Sequence, residues 1–361
     1  MDDKDAAVEL EAVYTEMLQN NLEGLWRMTR EVPEVKPYLW RWDVMSRLVN
    51  QAGSFLPMEE LGERRAVFLF NPALKHLAGA TQTLYAAIQM IQPGEVARAH
   101  RHTPSALRFI IEGEGAMMNV ESEVVPVHVG DLVLTPNWLW HEHRNEGTEK
   151  VTWLDGLDTP FVFGLSAAVY EMHPDVYLPE TKPRDITSAG NSQSLLRPVA
   201  LEPDTAAPQH LVYRWTDVEP ALDRLAATDT TSPYDGVAIE YAGPNNGHAL
   251  RTMGCWMQML RPAEHTAAHR HTHSSVYHVH RGSGHTVIDG QRFDWKQGDC
   301  FVIPSWAWHE HVNDADTPAY LFSMNDMPIM EAFDLQREEA LNESGGHQEI
   351  TSTFDPAKAA G

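Results

Sequence analysis

Apolar positions change their period along the chain. Leu10, Tyr14, Leu18, Leu22 and Leu25 recur at helical spacing behind Asp2, Asp3 and Asp5, which predicts an amphipathic helix over residues 8–30. Pro33 and Pro37 close it. A shorter helix is predicted from about Asp43 to Ala52, with Gly53 as its stop. From about Arg65 the runs shorten to strand length: QTLYAAIQMI, ALRFIIEGEGAMMNV, EVVPVHVGDLVLTP, KVTWLDGL. Gly, Pro, Asn and Asp punctuate them, as in an all-β sandwich or barrel and not in alternating β and α units. Residues 173–210 are rich in Pro, Ser and Thr and read as an extended linker. The tail from about 343 reads as loosely ordered.

The chain then repeats itself. RWDV at 41–44 returns as RWTDV at 214–218, and IQMIQP at 88–93 as MQMLRP at 257–262. AHRHT at 99–103 recurs unchanged at 268–272, and GDLVLTPNWLWHEHRN at 130–145 returns as GDCFVIPSWAWHEHVN at 298–313. A period this long marks a duplicated domain, not a solenoid. The predicted division is a helical segment (1–64), a first barrel (65–172), a linker with a short helix (173–236), a second barrel (237–335) and a tail (336–361).

Composition removes several function classes. Lys plus Arg is 27 and Asp plus Glu is 51, giving a net charge of −24 in 361 residues. Phosphate binding needs clustered cations, so neither nucleic acid nor an anionic membrane surface is an expected partner. No apolar run approaches the roughly 20 residues of a membrane span. The N-terminal MDDKDAAVEL lacks the basic start and apolar run of a signal peptide, and only Cys255 and Cys300 occur. A cytoplasmic protein is expected.

The 19 histidines are unevenly placed. His100 and His102 lie two apart in a strand context, so both imidazoles point to one face. His141 follows after Gly130, Asp131 and Pro136, on a later strand able to reach the same cavity. Three neutral imidazoles suit a divalent transition metal and would serve Ca²⁺ or Mg²⁺ poorly. One HxH alone is weak evidence, and a solvated face explains it as well. Here His269, His271 and His309 repeat the spacing, so a metal is expected in the first copy and a second one in the other.

Gly94-x5-His100-x-His102 and Gly130-x5-Pro136-x4-His141-x3-Asn145 resemble the two motifs of the cupin superfamily, and two such domains make a bicupin. Ala106 and Leu107 stand where a Glu usually follows HxH, as in the three-histidine ring-cleaving dioxygenases. GERRA (62–66), HRHTPSALRFIIEGEG (100–115), LTPNWLWHEH (134–143) and WLDGLDTP (153–160) resemble gentisate 1,2-dioxygenase. The resemblance implies tandem double-stranded β-helix (jelly-roll) barrels with N-terminal and inter-domain helices. It also implies Fe(II), O₂ as co-substrate, a small aromatic hydroxy acid as substrate, and a homo-oligomer, a tetramer in that family.

Side-chain chemistry assigns the remaining roles. A substrate carboxylate calls for forked guanidinium groups, which the resemblance places at Arg64 and Arg108. Arg108 lies an even six residues after His102, on the same face of an unbroken strand. Arg65 divides evenly between site and surface, and Arg101 reads as a surface charge. Gln89 and Tyr85 have hydrogen bonds to offer substrate oxygens, although Gln258 repeats Gln89 and argues for a structural part. His143 and Asp155 form an acid/base pair for a para hydroxyl, against the alternative of a structural histidine and a capping aspartate. Tyr277 and Ser323 replace Arg108 and Asp155 in the second copy, so the main catalysis is expected in the first. The reaction the resemblance implies is cleavage of gentisate between C1 and C2 to maleylpyruvate. The rivals are salicylate or 1-hydroxy-2-naphthoate as substrate, a manganese bicupin acting on oxalate, and a non-catalytic metal-binding bicupin.

Overall fold

The computed structural model describes residues 3–27, 35–56, 65–74, 77–185, 211–228, 231–243 and 247–356. The chain divides into a unit ending at Glu34 and a larger unit from Val35 onward. In the first unit, α1 (Asp3–Gln19) is followed by a 3₁₀ turn at Leu25–Arg27. The helix predicted to residue 30 stops sooner. Asn21 takes a positive φ of 57° and the Leu22 N–H turns back to the Met17 carbonyl at 2.7 Å, a left-handed C-terminal cap that apolar spacing does not report.

In the second unit, β1 (Tyr38–Trp40) and α2 (Trp42–Phe55) precede the first barrel. Gly53 lies inside α2 and does not stop it. A Cβ there would meet Met90 Cε at 2.4 Å, so the glycine serves close packing. The barrel strands are β2 (Ala66–Phe68), β3 (Tyr85–Ile91), β4 (Val96–His102), β5 (Ala106–Glu112), β6 (Ala116–Val120), β7 (Glu123–Pro126), β8 (Leu132–Thr135), β9 (His141–Asn145) and β10 (Val151–Leu157). Then come α3 (Thr159–Gly164), β11 (Tyr170–Met172), β12 (Val212–Tyr213) and α4 (Trp215–Ala226). The second barrel holds β13 (Val237–Glu240), β14 (Gly254–Leu260), β15 (His269–His271), β16 (Ser275–Arg281), β17 (Ser283–Ile288), β18 (Gln291–Lys296), β19 (Cys300–Ile303), β20 (His309–Val312) and β21 (Ala319–Asn325). α5 (Met327–Ala332), β22 (Glu338–Ala340) and β23 (Ser352–Thr353) follow.

Each half is a two-sheet jelly roll. The first pairs a sheet ordered β12-β8-β5-β10-β3-β2 with one ordered β11-β4-β9-β6-β7. The second pairs β1-β19-β16-β21-β14-β13 with β22-β15-β20-β17-β18-β23. Alternation along the strands sorts side chains to two faces. Ile88, Leu107, Phe109 and Leu154 join Val276, Phe322 and Met324 in one core shared by the halves, where the Phe109 and Phe322 rings stack at 4.3 Å. Ile110, Met118, Val133 and Trp153 fill the first jelly roll, and Phe293, Trp295, Phe301 and Leu321 fill the second.

The halves also exchange strands. β1 precedes the first barrel yet pairs with β19 of the second, and β12, from the expected linker, pairs with β8 of the first. The repeated GD motifs anchor both exchanges. Asp299 accepts the Trp42 N–H at 2.7 Å, and Asp131 accepts the Trp215 N–H at 2.9 Å and the Arg214 guanidinium at 2.6 Å. Gly130 and Gly298 share a φ of +88°, and a Cβ on either would strike Trp215 or Trp42. β22, just ahead of the tail expected to be loosely ordered, pairs with β15, and the tail itself adds β23, which pairs with β18. Edge hydrogen bonds order it, and these leave no apolar period to read.

Candidate active site

Strand register builds the first histidine cluster. β4 and β9 run antiparallel with His100 opposite His141, which puts both side chains on one face. His102 joins them from two residues along β4. All three are buried, and their ligand atoms lie within 4.8 Å of one another. The backbone fixes the tautomers. The Nδ1 atoms of His100, His102 and His141 lie 2.6, 2.7 and 2.9 Å from the carbonyl oxygens of Arg98, Pro104 and Leu139. Carbonyls only accept, so each Nδ1 carries the proton and each Nε2 keeps its lone pair. Among the described residues Nε2 of His141 is buried without a hydrogen-bond partner, which fits a metal-ligating nitrogen. Burial, then the neighbouring His100 and His102, then Arg108 push the His141 pKa well below the usual imidazole range. The donor set therefore suits a divalent transition metal, iron included.

The facing sheet supplies the polar groups. In its central row Ala87, Asp155, Arg108 and Val133 lie side by side across β3, β10, β5 and β8. Arg108 is buried, donates from Nη1 to Thr135 Oγ1 at 2.7 Å and pairs through Nε with Asp155 at 3.4 Å. Asp155 also accepts the Trp153 indole N–H at 2.9 Å. Asp155, expected as the partner of His143, pairs with Arg108, a contact that only strand register reveals. His143 is buried, 5.8 Å ring to ring from Trp153 and 5.7 Å from His141. Gln89, opposite Trp153, is buried on the same face. Tyr85 sits at the start of β3 and stacks on Phe68 at 6.1 Å. Arg64 lies outside the described residues. Arg65 is bound to Glu95 at 2.6 Å and holds the scaffold. Tyr170, which sequence reasoning passed over, stacks on His100 at 5.3 Å. It arrives on β11, opposite His102, and no motif marks it.

The second half repeats the cluster. His269, His271 and His309 are buried with ligand atoms within 4.8 Å of one another. The carbonyls of His273 and Ala307 hold His271 and His309 through Nδ1. His273 adds a ring stacked 3.4 Å from His271. On the facing sheet Tyr277 stacks on Phe301 at 4.8 Å; on the triad's own sheet the His311 ring is tied by Nδ1 to Thr286, which also accepts the Trp295 indole.

The cupin domain model matches residues 87–156 and again 256–325. A 5-aminosalicylate 1,2-dioxygenase of Comamonas sp is 39% identical over 96% of this chain and 94% of its own length. A gentisate 1,2-dioxygenase of Aquipseudomonas alcaligenes is 34% identical, covering 91% of this chain and 96% of that protein. The salicylate 1,2-dioxygenase of Pseudoaminobacter salicylatoxidans, solved with gentisate, superposes with a TM-score of 0.86 at 32% identity, over 93% of this chain and 94% of the other. No helix among the described residues is long and apolar enough to cross a membrane. With two cupin domains, two buried histidine triads and relatives of this similarity along nearly its whole length, the chain belongs to the gentisate-type family of bicupin ring-cleaving 1,2-dioxygenases.

Proposed function

We propose that the chain cleaves gentisate between C1 and C2 to maleylpyruvate, using Fe(II) held by His100, His102 and His141 and O₂ as co-substrate. The carrying observation is one buried arginine, Arg108, on the sheet facing three tautomer-locked imidazoles. Bound iron supplies Lewis acidity toward the substrate's carboxylate and ortho hydroxyl, and a place for O₂.

The protein does the rest. Neutral imidazoles leave the full metal charge to attract an anionic chelate. Arg108 turns a guanidinium N–H to the substrate carboxylate, while Thr135 and Asp155 hold its plane. Arg64 supplies a second cation. Gln89 and Tyr85 offer hydrogen bonds to ring oxygens. His143 takes the proton of the para hydroxyl, and Asp155, through Arg108, sets the electrostatics it works in. The walls of Trp153 and Ile110 exclude water. The second triad holds a metal without turning over this substrate, since Tyr277 replaces the anchoring cation. We assign the assembled enzyme a homotetramer in the cytoplasm.

The Comamonas relative supports a second reading, 5-aminosalicylate, which also carries a hydrogen-bonding electron donor at ring carbon 5. Anaerobic loading with Fe(II), then O₂ uptake with gentisate, 5-aminosalicylate, salicylate and 1-hydroxy-2-naphthoate, separates the readings. One-to-one uptake fastest with gentisate supports the proposal. Faster turnover of the amino acid or of a monohydroxylated acid moves the assignment within the family. No uptake with iron bound removes a catalytic role.

A further inference from the structure

Outside both triads, a third cluster joins His265, Glu310 and His347, whose ligand atoms lie within 4.8 Å of one another. Glu310 is 1% exposed on β20, the strand that carries His309. His347 Nδ1 lies 2.8 Å from its Oε2 and His265 Nε2 lies 3.3 Å from the same atom. The two rings are 4.0 Å apart. The Gln348 N–H donates to Glu310 Oε1 at 2.9 Å.

The other half shows what is unusual here. Its counterpart Glu142 is buried too, and it accepts the Leu178 N–H at 2.8 Å as Glu310 accepts Gln348. Glu142 has a permanent cation, Arg144, at 2.8 Å. Val312 replaces that arginine in the second half, and the ion-pair partners of Glu310 among the described residues are the two histidines. Those partners include no Lys or Arg, whereas burial of a carboxylate demands counter-charge. A divalent metal would supply it, and two imidazoles with one carboxylate oxygen are a donor set for zinc-like ions. Both histidines are partly exposed, which leaves room for water on the open side. The adjoining cavity of about 350 Å³ is rimmed by Asp289, Glu343 and Glu349, which favour cation approach.

We propose that His265, Glu310 and His347 form a third metal site, for a zinc-class divalent ion. It clasps the C-terminal segment to β20 from outside the second barrel. The clasp joins residues 265, 310 and 347, so it fixes the tail that lays β22 along β15 of the second triad.

The test uses full-length, Fe(II)-loaded protein equilibrated with zinc chloride and desalted. The His265→Ala/His347→Ala double variant is expected to retain one zinc fewer per chain than the parent, with ring-cleavage rate unchanged. The single variants His265→Gln and His347→Gln are expected to weaken zinc about tenfold or more. Zinc should also slow proteolysis of the 343–349 segment in the parent and not in the double variant. Equal zinc content in parent and double variant would overturn the proposal. So would a missing zinc that follows His269→Ala instead.

Discussion

The two barrels keep the same histidine-triad geometry and part company over the charged groups that face it. Their triads sit on β4 and β9, and on β15 and β20, where strand register and nearby carbonyls place and orient the rings. The other sheet of each jelly roll faces the triad with side chains alone. There Arg108, Thr135 and Asp155 become Tyr277, Ile303 and Ser323. An ion pair and its hydrogen-bond partner are replaced together, as they must be, because one buried charge without the others is costly. Positions set by strand register and backbone carbonyls outlast duplication; the facing side chains drift.

The sharpest test removes one ligand from each copy. His100→Ala is expected to lower the rate of O₂ uptake roughly a thousandfold or more, with iron lost from the first site. His269→Ala is expected to change it less than about twofold, since distant sites act independently. Metal analysis beside the rate assay checks both. Comparable losses would mean that the second barrel takes part in turnover.

Next comes the face opposite. Arg108→Tyr copies the second barrel into the first and is expected to cost about a hundredfold in kcat/KM, near 3 kcal/mol. It also leaves Asp155 buried beside no cation, so thermal stability should drop. Adding Asp155→Ser should restore stability and leave activity low. Recovery of activity in the double variant would show that Arg108 does not anchor the carboxylate.

Much of this was legible in the sequence. The duplicated motifs gave both triads, because HxH on a strand fixes a common face whatever the surroundings. The two jelly rolls followed from strand-length runs. The ion pair of Arg108 with Asp155 was not legible, because it depends on β5 lying against β10 in one particular register. Nor was the strand exchange, for RWDV and RWTDV look alike but dock on opposite halves. The ordering of the tail by β22, β23 and Glu310 lay outside any periodic signal.

Two carboxylates tie the halves reciprocally. Asp158 accepts the Ser105 N–H at 2.8 Å and a hydroxyl hydrogen bond from Thr252 of the second half. Asp326 accepts the Ser274 N–H at 2.6 Å and the hydroxyl of Thr83 from the first. Burial raises both pKa values, that of Asp158 to about 6. A carboxyl whose folded pKa lies above its unfolded value is favoured protonated, so stability falls as pH rises from about 4 to 6 and stays lower above. The penalty from Asp158 is on the order of 2–3 kcal/mol. Asp158→Asn keeps an acceptor for Ser105 and should flatten that part of the urea-stability profile. A parent and variant that track each other across this window would show that the inter-barrel link carries no such charge cost.

The smallest expected effect is also the most symmetric. Arg101 lies 4.4 Å above both Trp138 and Trp140 and pairs with Glu171 at 2.6 Å. Arg270 lies 4.5 and 4.4 Å from Trp306 and Trp308 and pairs with Glu339 at 2.6 Å. Each arginine sits between the two histidines of its HxH motif with its side chain 26% exposed, so the alternation that aims the ligands inward aims the guanidinium out onto the indoles. Sequence spacing read Arg101 as a surface charge; it does lie on the outer face, where it also clamps the loop before β9. Cation–π contacts at such positions contribute about 1 kcal/mol. Arg101→Ala and Arg270→Ala should therefore lower unfolding stability by nearly equal amounts in urea titrations, while only the first disturbs turnover. Clearly unequal losses would mean that the barrels have diverged in scaffold as well as in chemistry.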